Sequence, residues 1–395
     1  MKRNRKQAKH LFLLCFAILM PLLASADVSV DVPNVVFEED GICHDFEEDG
    51  IYYRIVDKEN LAVEVTCKGD VPLEYPEEYS GVVTIPSTTT YNDTVYSVTS
   101  IGAGAFFGCS SLSGVNIPES VTIIDDAAFY NCSSLAAISI PGSVASIGAF
   151  AFCGCSSLTT TTIPETVTSI GMFAFASCTG ELFVNCNIPS ATDYGGAFWS
   201  GKFTKVTIEE GVTSIGDYAF LACDRLASIT IPNSITYIGE GAFGGCGSLA
   251  SINIPESITS IGYATFVECT SLTSITLPKS VTSIGNSAFE GCKNLTSITC
   301  KAVAPPSISS TTFRSVDTSI PVYVPMTSVT DYQAAEAWKH FTNFIGMDMD
   351  TQIETPELKH GDSEADVYDL NGRRITNTDN LKGGIYIING RKVVN

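Results

Sequence analysis

Thiols are the most conspicuous reactive groups in this chain. Cys109, Cys132, Cys155 and Cys178 stand 23 residues apart, and Cys223, Cys246, Cys269 and Cys292 repeat the interval. A thiol can pair as a disulfide, ligate a metal or attack an electrophile, and each chemistry sets its own geometric demand. Metal binding needs clustered ligands such as C-x-x-C with histidine; here Cys153 and Cys155 are close in sequence but no His accompanies them. Beyond residue 26 the histidines are His44, His340 and His360, scattered in sequence, and no nucleophile elbow surrounds any serine. No catalytic residue, cofactor or metal site is therefore expected. The acidic runs Glu38-Glu39-Asp40 and Glu47-Glu48-Asp49 lack the spaced Asp/Asn and Gly of a calcium loop, so they read as solvated surface.

The cysteines are one column of a longer repeat. Complete copies begin at Ser100, Ile123, Ser146 and Ser169, then at Ser214, Tyr237, Ser260 and Ser283. The 45-residue gap between Ser169 and Ser214 is one short of two periods and holds a degenerate ninth copy, with Phe198 as its phenylalanine. Within a copy, Leu112, Val115 and Ile117 give L-x-x-V-x-I, and the trio returns as Leu135/Ile138/Ile140, Leu226/Ile229/Ile231, Leu249/Ile252/Ile254 and Leu272/Ile275/Leu277. Residues two apart on a strand share a face, so the last two of each trio point inward. Pro118, Pro141, Pro164, Pro232, Pro255 and Pro278 follow and stop the strand. Phe106, Phe129, Phe152, Phe175, Phe220, Phe243, Phe266 and Phe289 should stack as a spine, each covered by the next copy. Stacked coils bring successive cysteines about 4.8 Å apart, but parallel side chains pointing into a core are poorly aimed for disulfides. Buried free thiols acting as small hydrophobes are expected.

The pattern Leu…Ile-x-Ile-Pro…Ile-Gly…Ala-Phe…Cys resembles the BspA-like bacterial leucine-rich repeat family, over residues 81 to about 347. Departures fall in the middle copies, where Gly201 replaces the cysteine and Glu181 stands where leucine is expected. The fold class is then a leucine-rich repeat solenoid of about nine 23-residue coils. Each coil has one short parallel β-strand, with turns or short helical segments on the convex side. A β-rich cap over residues 27–80 and a strand-helix cap over 305–346 should close the repeat region 81–304. In the second cap, Val322 to Pro325 reads as a strand, and residues 328–341 as an amphipathic helix offering Tyr332, Ala335 and Trp338.

The chain ends carry addresses. Lys2, Arg3, Arg5, Lys6 and Lys9 precede an apolar run from Leu11 to Leu23 that ends in Ala24-Ser25-Ala26, the pattern of a secretory signal peptide over residues 1–26. That run is too short for a spanning helix, so no transmembrane segment is expected in the mature chain. Residues 347–364 read as a linker. Asn371-Gly372 and Asn389-Gly390 lie beside β-forming runs and signal hairpins. Segment 365–395, with V-Y-D-L-N-G-R and G-I-Y-I-I-N-G, resembles the sorting domain of the type IX secretion route, which implies export across an outer membrane. Removal of the leader, with five Lys/Arg and no Asp/Glu, takes the net charge from −21 to −26, which disfavours nucleic acid as a partner.

Two surfaces are candidates for binding. The outward strand position gives a ladder of short polar groups: Asn116, Ser139, Thr162, Thr207, Thr230, Asn253, Thr276 and Thr299. It serves either recognition or simple β propensity on a solvated face. The second candidate is a patch of Phe150, Phe173, Tyr194, Trp199, Phe203 and Tyr218 around the irregular copy. It serves either as an aromatic hot spot or as filler for the missing cysteine and leucine. The family resemblance implies a secreted or surface-displayed bacterial protein, expected to be monomeric, that binds an extracellular protein or glycan in adhesion. The alternatives are a structural or accessory module of a surface assembly, for example in carbohydrate capture, and, third, a hydrolytic enzyme.

Overall fold

The structure, a computed structural model, describes residues 44–68, 78–191 and 195–348, with the backbone of 367–368, 385–388 and 391–394. Residues 1–26, expected to be a signal peptide, fall outside the described residues. From Gly81–Thr84 to Pro321–Pro325 the chain coils through about eleven turns, the expected nine extended at each end by an additional strand. Alternation within each strand sets the layers: Val115, Ile163, Val206 and Leu277 are buried while the residues between them face out. Successive strands pair in parallel and in register, Val115 with Ile138 and Asn116 with Ser139 in one sheet, Ile275 with Ile298 and Thr276 with Thr299 in another. On the opposite side, two-residue strands such as Ser146–Ile147 and Ser169–Ile170 form a second parallel ladder. The arc between the ladders is built of turns.

The phenylalanines stack without interruption. Ring centroids lie 4.9 Å apart for Phe106/Phe129, 5.0 Å for Phe152/Phe175 and 5.7 Å for Phe220/Phe243, and Phe198 takes its place between Phe175 and Phe220. The column continues to Phe313. Its backbone is tied turn to turn, since the Phe106 N–H donates to Ala128 O and the Phe129 N–H to Ala151 O, both at 2.7 Å. The cysteines complete the same arc. Cys132 Sγ donates to Phe106 O at 3.0 Å, Cys155 to Phe129 O at 3.2 Å and Cys178 to Phe152 O at 3.0 Å. All twelve described cysteines are buried thiols, with no disulfide among them. The residue type follows from the place: a small apolar side chain with a weak donor aimed at a carbonyl.

The middle turns depart from the sequence-based register. Thr161 pairs with Leu182 and Ile163 with Val184, while Leu182 pairs with Val206 and Val184 with Ile208. Two turns of 21 and 24 residues thus fill the 45-residue gap. Glu181 therefore does not stand at the leucine position. Thr179 does, its Oγ1 donating to Leu158 O at 2.8 Å, and in the next turn Phe203 fills it, fully buried against Phe198. The extra length is taken up by a bulge at Gly180/Glu181, where Gly180 has φ +88° and a Cβ would meet Thr159 O at 2.3 Å.

Both ends of the column are closed by aromatic residues. Ile51–Asp57 and Ala62–Thr66 form the expected antiparallel hairpin, and the latter strand continues in parallel onto Thr94–Ile101. Tyr79 packs on Phe106 at 4.6 Å and donates its hydroxyl to Thr66 O. At the other end the helix is shorter than the amphipathic pattern predicts, only Val329–Ala334, with Ala335 already extended. The chain leaves the helix so that Trp338 can pack on Phe313 and donate Nε1–H to Pro306 O at 2.8 Å. A further strand, Asn343–Met347, follows Pro321–Pro325 in the sheet. In a separate unit, Ile385–Ile388 pairs antiparallel with Arg391–Val394, as the second Asn-Gly signal predicts, and with Val367–Tyr368. Asn371-Gly372 lies outside the described residues.

Candidate functional site

The polar ladder lies where strand alternation puts it. Asn116, Ser139, Thr162, Thr230, Asn253 and Thr276 are exposed, and Thr207 and Thr299 are partly covered. Asn116 Nδ2 donates to Thr84 Oγ1 of the neighbouring strand at 2.9 Å. The ladder is not uniform, however. The register places Phe183 between Thr162 and Thr207, outward because its neighbours Leu182 and Val184 are fully buried. One phenyl ring thus stands in a row of hydroxyls and amides. The two-residue slip of this strand hid Phe183 from a 23-residue template; the signal available was the alternation of Leu182-Phe183-Val184 itself.

Around that ring the surface dips into an open depression of about 480 Å³, lined by Thr162, Glu165, Phe183, Asn185, Glu209 and Glu210. Its origin is a gap in the proline column. Asn185 and Glu209 follow their strands where other turns carry proline, and their N–H groups donate to Ile163 O and Val184 O, each at 3.0 Å. A polar side chain thereby replaces a pyrrolidine ring in two adjacent turns. Asn185 Oδ1 is buried and accepts no hydrogen bond. Beside the depression, Lys205 pairs with Glu181 at 3.6 Å, whereas Glu165, Glu209 and Glu210 make no ion pair with a described residue.

The aromatics around the irregular turn are placed differently. Phe150, Phe173 and Trp199 are buried in a second apolar cluster with Phe107, Tyr130 and Cys153. Phe203 is fully buried in the main core, and Tyr218 is half-buried. Tyr194 lies outside the described residues. Phe173 packs on Phe150 at 5.3 Å and edge-on to Trp199 at 5.3 Å, so the rings spend their faces on one another. Phe150 and Phe173 have φ +57° and +54°, a left-handed conformation uncommon for bulky residues that the turn imposes at this position of each repeat, as at Ala127, Ala264 and Ser287. Phe150, Phe173, Trp199 and Phe203 thus fill space between turns, while Tyr218 stays partly exposed.

Thiol chemistry is suppressed by burial. Desolvation pushes Cys186 up to about 11 and Cys223 and Cys292 up to about 12, away from the thiolate that reacts. Among the described residues, no group of three His, Cys, Asp or Glu could hold a metal ion, and no helix is long and apolar enough to cross a membrane. His44 stacks edge-on against Tyr52 and His340 packs on Phe341; His360 lies outside the described residues.

A parallel coil in which strands, a buried phenylalanine column and a Leu/Ile core recur turn after turn defines a leucine-rich repeat solenoid. The chain belongs to the BspA type leucine-rich repeat family, which matches in six copies at residues 87–194 and 194–318. A leucine-rich repeat protein from Bacteroides ovatus is 30% identical, with 77% of each chain covered and a TM-score of 0.51. A leucine-rich cell surface protein from Faecalibacterium prausnitzii is 22% identical over 80% of this chain and 97% of its own, with a TM-score of 0.31. Comparison with curated proteins gave no match.

Proposed function

We propose that this chain is an exported, surface-displayed repeat protein that binds an extracellular protein partner across its strand face. The observation that carries the reading is the face itself: a row of exposed Ser, Thr and Asn side chains on a rigid parallel sheet, interrupted by one aromatic ring in a depression. Short polar side chains lose little entropy on contact, and a solenoid presents them at fixed spacing. Export is supported by the basic, apolar and A-x-A order of residues 1–26, and the C-terminal strands serve in this reading as a sorting segment. Adhesion is the biological role that fits.

The test is a panel of purified extracellular-matrix proteins beside a glycan array, probed with the full chain and with Thr230→Lys/Asn253→Lys/Thr276→Lys. Saturable binding to a matrix protein that the triple variant loses supports the reading. Binding to glycans alone would move the protein to carbohydrate capture, and equal binding by the variant would remove the strand face from the account.

A further inference from the structure

We infer that the depression around Phe183 is a docking site for an arginine side chain of the protein partner, a proposal that rests on the strand-face reading above and narrows it. Two observations converge. The floor carries a partly exposed phenyl ring in a row of small residues, between Thr162 and Thr207 of the flanking strands. The wall carries Glu165, Glu209 and Glu210, none tied up in an ion pair with a described residue.

The chemistry of this set selects its occupant. Ionised glutamates accept hydrogen bonds and cannot donate them, so three of the five polar side chains in the depression ask for donors. A neutral sugar brings acceptors as well as donors, and an anion brings only acceptors. A metal ion needs ligands converging on one point, which these glutamates do not provide. A guanidinium matches each demand: it is planar and stacks on an aromatic face, it is always charged, and it fans out five N–H donors. Lysine offers the charge without the planar fork, so arginine should be preferred. Lys205, a cation on the Lys202–Ile208 strand, is paired with Glu181, and among the described residues no cation lines the depression.

A fluorescent peptide carrying three arginines separated by glycine, with citrulline and lysine counterparts, tests the assignment by anisotropy at low salt with the full chain. The arginine peptide should bind, and the citrulline peptide should bind at least ~10-fold more weakly. Glu165→Gln/Glu209→Gln/Glu210→Gln should weaken the arginine peptide ~10-fold, and Phe183→Thr, which restores the ladder residue, by several-fold. A control triple, Glu119→Gln/Glu240→Gln/Glu268→Gln, removes equal charge elsewhere on the exposed surface and should leave binding unchanged. The proposal is overturned if the arginine peptide fails to bind, if the Phe183 and site-glutamate variants bind it as wild type does, if the control triple loses as much as the site triple, or if lysine matches arginine. Failure on any of these counts leaves the strand face to be tested independently by the matrix-protein panel and its Thr230/Asn253/Thr276 variant.

Discussion

Cys132 donates its thiol hydrogen to the carbonyl oxygen of Phe106, which lies 26 residues earlier but only one turn away. The same bond recurs from Cys223 to Phe198 O at 3.1 Å and from Cys292 to Phe266 O at 3.2 Å. A disulfide ladder would have to abandon these bonds. The native chain should therefore resist alkylation, and in denaturant without reductant nearly all thiols should react; few reactive thiols would refute the assignment.

Burial of those thiols also links stability to pH. Desolvation raises Cys223 and Cys292 from the ordinary value to about 12, so the folded state holds protons that the unfolded chain releases. Their contribution is complete below the unfolded value, about 8.5, and is lost as pH rises from there toward 12. Urea midpoints should fall progressively above pH 9, and Cys223→Ala should flatten that dependence.

Phe175 sits 5.0 Å from Phe152 and 5.5 Å from Phe198, fully buried. Phe175→Ala opens a gap flanked by two rings and should cost about 3–5 kcal/mol by chemical denaturation.

Thr161 occupies the inward position that is Val115, Ile138 and Val206 in other turns, and its Oγ1 is buried without a hydrogen-bond partner. Thr161→Val removes that unsatisfied hydroxyl at nearly constant volume. It should stabilise the protein by about 1–2 kcal/mol, visible as a higher melting temperature.

Replacing Phe150, Phe173 and Tyr218 together by serine tests the second cluster. Burial of the two phenylalanines predicts a destabilised or unfolded chain by circular dichroism. A folded variant that had lost only partner binding would instead reinstate these rings as a contact surface.

Most of the fold was legible because repeated turns place equivalent residues in equivalent environments. The Phe and Cys columns, the Leu/Ile interior and the outward polar position all follow from a fixed interval and strand alternation. What escaped the sequence was one-off. The 21- and 24-residue turns cannot be told from 23-residue ones by counting, since only pairing fixes where the slip occurs, and with it went Phe183. The C-terminal helix pattern was overridden by tertiary demands, because Trp338 must reach Pro306 O. The aromatic cluster was legible as a group but not as to facing, since side-chain direction at a left-handed residue does not follow strand alternation.

The short turn and the long turn nearly cancel. Phe198 lies 4.9 Å from Phe220 and in parallel stack with it, so the column passes the irregularity unbroken, with spacings of 4.9–5.1 Å before it and 5.2–5.7 Å after it. An interior lesion of this kind is local: its displacement is healed within two coils, and no downstream turn inherits it. Such a scaffold can accept a novel residue like Phe183 at its centre without renegotiating either end. Variation in what the strand face presents is thereby uncoupled from variation in whether the chain folds.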